Sequence, residues 1–386
     1  TKTRTSVQFN KRIGIEMSSF DFVKKIEFNE SFRNRNVIDT FDLNDNSFIQ
    51  RFKEVIDIEN LTWSIGVIVG KSGTGKSSIA KILWPESYIT HYQYDNDKSV
   101  IDNMPKNKNV IDITDCFTKV GFGTVFSWIK KYNVLSEGEK MRVDVARALL
   151  SDSDLTVFDE YTSVVDRNVA KMASLVSQKY IRKNNKKFIF VTCHDDILEW
   201  LEPDWVYSTD TFEFKQTREL LRRPKLQVDI YKTQNRDLWK MFSKYHYMNT
   251  ELNNSAQCFV AFVNDNICAF YSYIHLPHPS SKLFKRGHRL SVLPDYQGIG
   301  IGSLLSNYVA SEVVKNGYRF ISTISSKGLI KSRLKDSNWK ITSICRKKPS
   351  NNKNNKIQNK DNVSRKRRTV SFEYIDKTLK HKEFKN

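Results

Sequence analysis

The chain has 386 residues, with 63 lysines and arginines against 43 aspartates and glutamates, for a formal charge of +20. That length suits two domains of ordinary size, and the basic excess favours an anionic macromolecule as partner, although a Lys/Asn-rich sequence also arises from genomic bias. The five cysteines show no C-x-x-C pair and suggest neither a zinc site nor a disulfide framework. No run approaches the roughly 18 apolar residues of a membrane span, and no signal-peptide core stands at the N-terminus. The expectation is a cytoplasmic chain with no membrane segment.

Residues 1–60 are polar, with short apolar strands predicted at 20–23, 37–43 and 52–58. Phe41 or Phe52 suits either a core or an adenine-stacking position. Ile65, Val67, Ile68 and Val69 read as a buried parallel strand, and the loop after it fits G-x-x-x-x-G-K-[ST] position by position. Gly70, Gly73 and Gly75 let the backbone curl so that its N–H groups face phosphate oxygens, and Ser77 and Ser78 open a helix whose positive end faces the same anion. Gly70, Lys71, Ser72, Gly73, Thr74, Gly75, Lys76, Ser77 and Ser78 are therefore the expected ATP-binding loop, with Lys76 on the β/γ-phosphates and the Ser77 hydroxyl on Mg²⁺.

Further along, LSEGE (135–139) precedes a helix with apolar residues at helical spacing, and Ser136 is placed to cap it. The run LTVFDE (155–160) is a strand ending in two carboxylates: Asp159 to hold Mg²⁺ through water, Glu160 to orient and deprotonate the attacking water. SVVD (163–166) follows, then an amphipathic helix (169–183), the strand FIFVT (188–192) and His194. Trp200 and Trp205 read as packing residues in a WLEPDW turn.

In this order, these stretches resemble the ATP-binding-cassette (ABC) ATPases over about residues 40–205. LSEGE matches the signature motif, Asp159 and Glu160 the Walker B pair, SVVD the D-loop and His194 the switch histidine. The resemblance implies an antiparallel β-layer from residues 1–60 and a homodimer in which two copies sandwich ATP. Ser136, Gly138 and Glu139 of one copy would then close on the Lys76 loop of the other. The helical insert between loop and signature is short, and Gln93 is the Q-loop and metal candidate or else a surface residue. The ATPase domain is expected at 1–212, with charge rising across 211–224.

The second half reads differently. Residues 258–274 form two strands joined at Asn264-Asp265-Asn266, and a third strand (289–293) is broken by Pro294 and Asp295. Gln297, Gly298, Ile299, Gly300, Ile301 and Gly302 then lead straight into an amphipathic helix, again presenting bare amides to a phosphate. A Rossmann dinucleotide site is the rival. The proline between strand and loop, and the lack of an acidic strand end about 20 residues on, argue against it. VLPDYQGIGIG resembles motif A of the GNAT acyltransferases, and the likeness spans 225–386. It implies an α+β domain with a mixed sheet at 213–386 that binds acetyl-CoA or another acyl-CoA. Amides of Gln297 to Gly302 would hold the pyrophosphate, the strand at Val292 would pair with the pantetheine arm, and the next strand (319–324) would splay away.

Such a reaction needs a base for the acceptor amine and an acid for the leaving thiolate. The tyrosine that many members place after the last of these strands is absent, leaving Ser325 or Ser326 or an acid elsewhere. Tyr245, His246, Tyr247, His288, Arg289 and Asp295 are the other candidates. His246 with Tyr247 suits gripping an unpaired base and taking its amine proton, and HYMN with HRLSVLP faintly resembles Mom-type phage DNA base modifiers. Residues 346–368, with ten Lys or Arg and one Asp, read as a basic disordered insert: a nuclear-type address, a solvated loop or an electrostatic arm for phosphates. TVSFEYI (369–375) alternates like a final strand. The whole resembles fusions of an ABC ATPase with an acetyltransferase. It implies an ATP-dependent modifier of DNA or RNA bases or, alternatively, an SMC- or repair-type DNA-binding ATPase whose GNAT domain only binds.

Overall fold

Residues 18–25, 31–42, 49–56, 58, 61–218, 220–221, 226–246, 251–277, 283–345 and 369–376 are described by a computed structural model. The chain opens with strand β1 (Ser18–Lys25), helix α1 (Phe32–Thr40) and strand β2 (Ile49–Ile56), and β1 pairs antiparallel with β2. A strand is predicted at 37–43, but residues 37–40 finish a helix instead. Ser31 Oγ accepts the Asn34 amide at 3.2 Å, and this cap starts a helical turn before the apolar residues can extend. Phe41 stands 69% exposed and so belongs to no core, while the Phe52 side chain lies outside the described residues.

Strand β3 (Ile65–Val69), buried along its length, passes through the glycine loop into α2 (Lys76–Leu83) and β4 (Tyr88–Ile89). Helices α3 (Val110–Lys119), α4 (Val125–Trp128) and α5 (Glu137–Leu150) follow. Then come β5 (Leu155–Phe158), α6 (Arg167–Lys183), β6 (Lys187–Thr192), α7 (Leu198–Leu201), β7 (Trp205–Ser208) and β8 (Glu213–Gln216). The six-stranded sheet runs β4-β5-β6-β3-β7-β8, parallel throughout except for β8. Parallel strands need long crossovers and present their carboxyl ends along one edge. That geometry brings the glycine loop after β3, the acidic pair after β5 and His194 after β6 to the same edge. Trp205 opens a strand rather than closing a turn. Its fully buried indole packs edge-on to Trp63 at 5.5 Å, in the cluster that also holds Ile68, Val157 and Val191.

The remaining elements are β9 (Asp229–Thr233), α8 (Trp239–Ser243), β10 (Gln257–Val263), β11 (Asn266–His275) and β12 (Phe284–Val292). After them lie α9 (Ile301–Lys315), β13 (Arg319–Ile324), α10 (Lys327–Lys335), β14 (Trp339–Cys345) and β15 (Thr369–Tyr374). Asn264 and Asp265 both take positive φ, 47° and 63°, which is the hairpin turn that an Asn/Asp pair favours. The seven-stranded sheet runs β14-β15-β13-β12-β11-β10-β9 and is antiparallel except between β12 and β13. Those two strands pair only where Phe284 to Arg286 meet Arg319 to Ile321. Strand β12 runs on to Val292 without β13 beside it, so a wedge opens toward α9.

The chain divides spatially into two units: Thr1–Gln93 with Ser151–Val165 and Gln178–Arg223, and Tyr94–Leu150 with Asp166–Ser177 and Pro224–Asn386. Helices α3 to α5 are thus grouped with the seven-stranded sheet, although they lie within the first half of the sequence. Among the described residues no helix is long and apolar enough to cross a membrane.

Candidate functional sites

In the first unit, Gly75 caps α2 in the left-handed conformation (φ 92°), a geometry that costs other residues about 1–2 kcal/mol. It leaves the first amides of α2 facing outward as an anion cradle. Lys76 is buried, and its ammonium donates to the Lys71 carbonyl at 2.6 Å, so the side chain curls back over its own loop. The loop is pinned from β7: the Lys71 amide donates to the Asp210 carboxylate at 3.0 Å, and the Thr74 and Thr209 hydroxyls share a hydrogen bond at 2.6 Å. Lys71, Ser72 and Gly73 stay exposed, while Ser77 and Ser78 are half-buried. Thr209 and Asp210 carried no signal in the sequence.

Asp159 is buried at the end of β5 and accepts from the Glu160 amide at 2.8 Å and from the Tyr88 hydroxyl. Tyr88 also interacts with Ser77; burial, then the Asp159 carboxylate, push its phenol well above the ordinary range. Tyr88 thus stands beside the Asp159 carboxylate that is expected to serve Mg²⁺. Glu160 takes a positive φ of 55°, and its exposed side chain projects from the strand end. His194 is half-buried, with its amide donating to Thr192 Oγ1 at 3.1 Å. Gln93 is exposed in the segment after β4.

In the second unit, Ser136 and Glu139 form a reciprocal cap on α5. The Glu139 amide donates to Ser136 Oγ at 3.3 Å, and the Ser136 amide donates to Glu139 Oε2 at 3.1 Å. The other Glu139 oxygen accepts from Ser127 Oγ at 2.8 Å, so this carboxylate is committed to shaping the turn around Gly138.

The wedge between β12 and β13 opens into a cavity of about 490 Å³, within the ~300–1,000 Å³ of small-molecule and cofactor sites. Val292, Gln297, Gly298, Gly300, Ile301 and Gly302 line it, and Ile299 does not. Gly300 caps α9 with φ 101°, and no atom lies within 4 Å of where its Cβ would stand. The mouth of α9 is therefore open enough for a phosphate. Gln297 turns its side chain away from that role: Nε2 donates to the Val292 carbonyl and Oε1 accepts from the Gly123 amide, both at 2.9 Å. Thr118, Lys119 and Gly123 line the same cavity, a contribution invisible in the sequence because they lie some 170 residues away.

His246 lines the cavity, 8% exposed with its ring against Trp239, and Tyr245 lies beside it. Tyr247 lies outside the described residues. Asp295 does not line the cavity; it is half-exposed and paired with Arg142 at 3.1 Å. His288 does line it. Burial first, then Arg289 and Arg286, lower its pKa to about 4, and Nε2 accepts the Asn253 amide at 3.3 Å. The imidazole is therefore neutral at physiological pH, with its proton on Nδ1. Between pH 6.5 and 4 the unfolded chain binds a proton that the folded one refuses, so acidification destabilises the fold across that window. The expected slope is below ~1.4 kcal/mol per pH unit, because the half-buried ring is partly screened. Melting curves of wild type and His288→Gln across that range check it: the variant should lose less stability on acidification.

A P-loop at the carboxyl edge of a parallel sheet, followed by a mixed sheet split beside a glycine-opened helix mouth, defines a nucleotide-binding α/β module joined to an acyltransferase-like α+β module. Residues 254–334, from the approach to β10 almost to the end of α10, match the family model for an "Acetyltransferase (GNAT) domain". The chain is similar to the mitochondrial iron-sulfur clusters transporter ATM1 of Candida glabrata, 22% identical over 230 residues, covering 49% of this chain and 31% of that protein. It is similar to the iron-sulfur cluster assembly protein SufC of Plasmodium berghei at 23%, covering 46% and 62%. With the energy-coupling factor transporter ATP-binding protein EcfA1 of Fusobacterium nucleatum it shares 27% over 184 residues, covering 36% and 69%. The chain thus spans about a third of the first relative and under two thirds of the second. Among solved structures it is similar to CbiO1 of Clostridium perfringens, part of an ABC transporter complex (17% identity, 40% of this chain, 76% of that one, TM-score 0.33). A bacterial Atm1-family ABC exporter with ATP bound is also similar (17%, 45% and 36%, TM-score 0.35). A region similar to ABC ATPases therefore comes before a GNAT acetyltransferase domain.

Proposed function

We propose that this chain binds and hydrolyses ATP as a homodimeric cassette and couples it to acyl transfer from acetyl-CoA, or another acyl-CoA, onto an amine of a DNA or RNA base. The observation that carries the reading is a pair of helix mouths, at α2 and α9, each opened by a left-handed glycine, the second above a wedge-shaped cavity. Lys76 and the amides of Gly70 to Ser78 hold the triphosphate, Ser77 and Asp159 hold Mg²⁺, and Glu160 with His194 takes charge of the attacking water. Ser136 and Gly138 come from the second copy. The coenzyme supplies an activated thioester when bound. Gly300 and Gly302 let amides approach its phosphates, and the free edge of β12 near Val292 receives its arm. His246, with Tyr247 next to it, holds the acceptor and takes the amine proton.

The basic excess and the 346–368 segment, which lies outside the described residues, support a nucleic-acid acceptor in the cytoplasm. The test is incubation with labelled acetyl-CoA, ATP and either DNA or RNA, followed by digestion to nucleosides and mass spectrometry. An acylated nucleoside is expected. Its absence with every nucleic acid, from folded protein, removes the acceptor; ATP hydrolysis stimulated by DNA with no acyl transfer and no thermal shift on adding acetyl-CoA would return the chain to the DNA-binding ATPase class.

A further inference from the structure

The loop before α9 is held by the elements that carry the signature turn, all within the second unit. Arg142, 2% exposed and one turn into α5, reaches both the signature turn and this loop with its guanidinium. Nη1 donates to the Gly138 carbonyl at 3.2 Å, and Nη2 donates to an Asp295 carboxylate oxygen at 3.1 Å. Two residues beyond Asp295, Gln297 fastens the same loop to the Gly123 amide. A Cβ at Gly123 would stand 2.3 Å from Gln297 Oε1, so a side chain there would push the Gln297 amide group from its present position. A guanidinium is a rigid plane with fixed donor directions. Any shift of the first turn of α5 that moves the Gly138 carbonyl therefore re-aims the arm that holds Asp295. Because Arg142 is buried, a hydrogen bond lost at either end is costly, which favours turn and loop shifting together.

We infer that Arg142 is a positioning residue that links phosphate occupancy at the signature turn to coenzyme affinity at the Gln297 to Gly302 loop. This rests on the reading of both sites proposed above. Such linkage is reciprocal: whatever factor nucleotide applies to coenzyme binding, coenzyme applies to nucleotide binding.

The experiment uses the full chain carrying Glu160→Gln, so that ATP persists. Acetyl-CoA affinity is measured calorimetrically with and without saturating ATP and Mg²⁺, and ATP affinity with and without saturating acetyl-CoA. Each ligand is expected to tighten the other by the same factor, at least about fivefold. Adding Asp295→Asn, which removes the carboxylate charge at a half-exposed position, should bring that factor toward one, whichever way the single-ligand affinities move, with circular dichroism checking that the variant is folded. Arg142→Lys, which keeps the charge and loses the fork, should do the same. A factor of one in the parent with both ligands bound singly, or a factor untouched by Asp295→Asn, overturns the inference. Failure of either ligand to bind alone is a separate readout: it overturns the site assignment and, with it, the linkage.

Discussion

Replacing Glu160 by glutamine is expected to slow ATP hydrolysis by about 10²–10⁴-fold, the range a positioned general base supplies, while leaving ATP binding in place. Glutamine keeps the size and hydrogen bonding of the side chain but cannot accept the water's proton. Glu160 adopts a left-handed conformation with its amide held by Asp159, and its side chain stands exposed at the end of β5. ATP should then accumulate in the closed state, and light scattering should show the variant passing from monomer to dimer on adding ATP. A variant that hydrolyses ATP at the parent rate removes Glu160 as base, and one that stays monomeric with ATP bound removes the sandwich.

Gly300→Val is expected to weaken acetyl-CoA binding by about 10²-fold or more, equivalent to ~3 kcal/mol. Two effects combine. At φ 101° a β-branched residue is strained, so the first turn of α9 must rearrange to admit it. Its methyl groups would also stand in the open space at the helix mouth, where no protein atom now lies within 4 Å and where a phosphate oxygen must reach the amides. Titration calorimetry with acetyl-CoA measures the loss, and circular dichroism reports whether the fold is intact. An unchanged affinity in folded protein would place the coenzyme's phosphates elsewhere.

The two left-handed glycine caps, Gly75 and Gly300, were legible in the chain because the conformation that opens a helix is a local property. The same holds for the reciprocal cap of Ser136 and Glu139, three residues apart, and for the Asn264-Asp265 turn. Where the reading of residues 37–43 failed, the decisive group was Ser31, which caps a helix from outside the apolar run. Asp295 stood out as a polar residue beside a glycine loop. Its partner, Arg142, is 153 residues away, and no pattern in either segment announces the pairing.

The sequence by itself determined the excess of positive charge, the order of the motifs and the two glycine-opened loops, each with a strand before it and a helix after it, because such local structure follows from interactions among near neighbours. Only the tertiary structure decided that Tyr88 donates to Asp159, that Thr209 and Asp210 pin the glycine loop after β3, and that the Gln297 side chain bonds the Gly123 amide. Each of these contacts depends on which strands become adjacent when apolar surface is buried, and adjacency of that kind is a property of the whole core rather than of any stretch of chain.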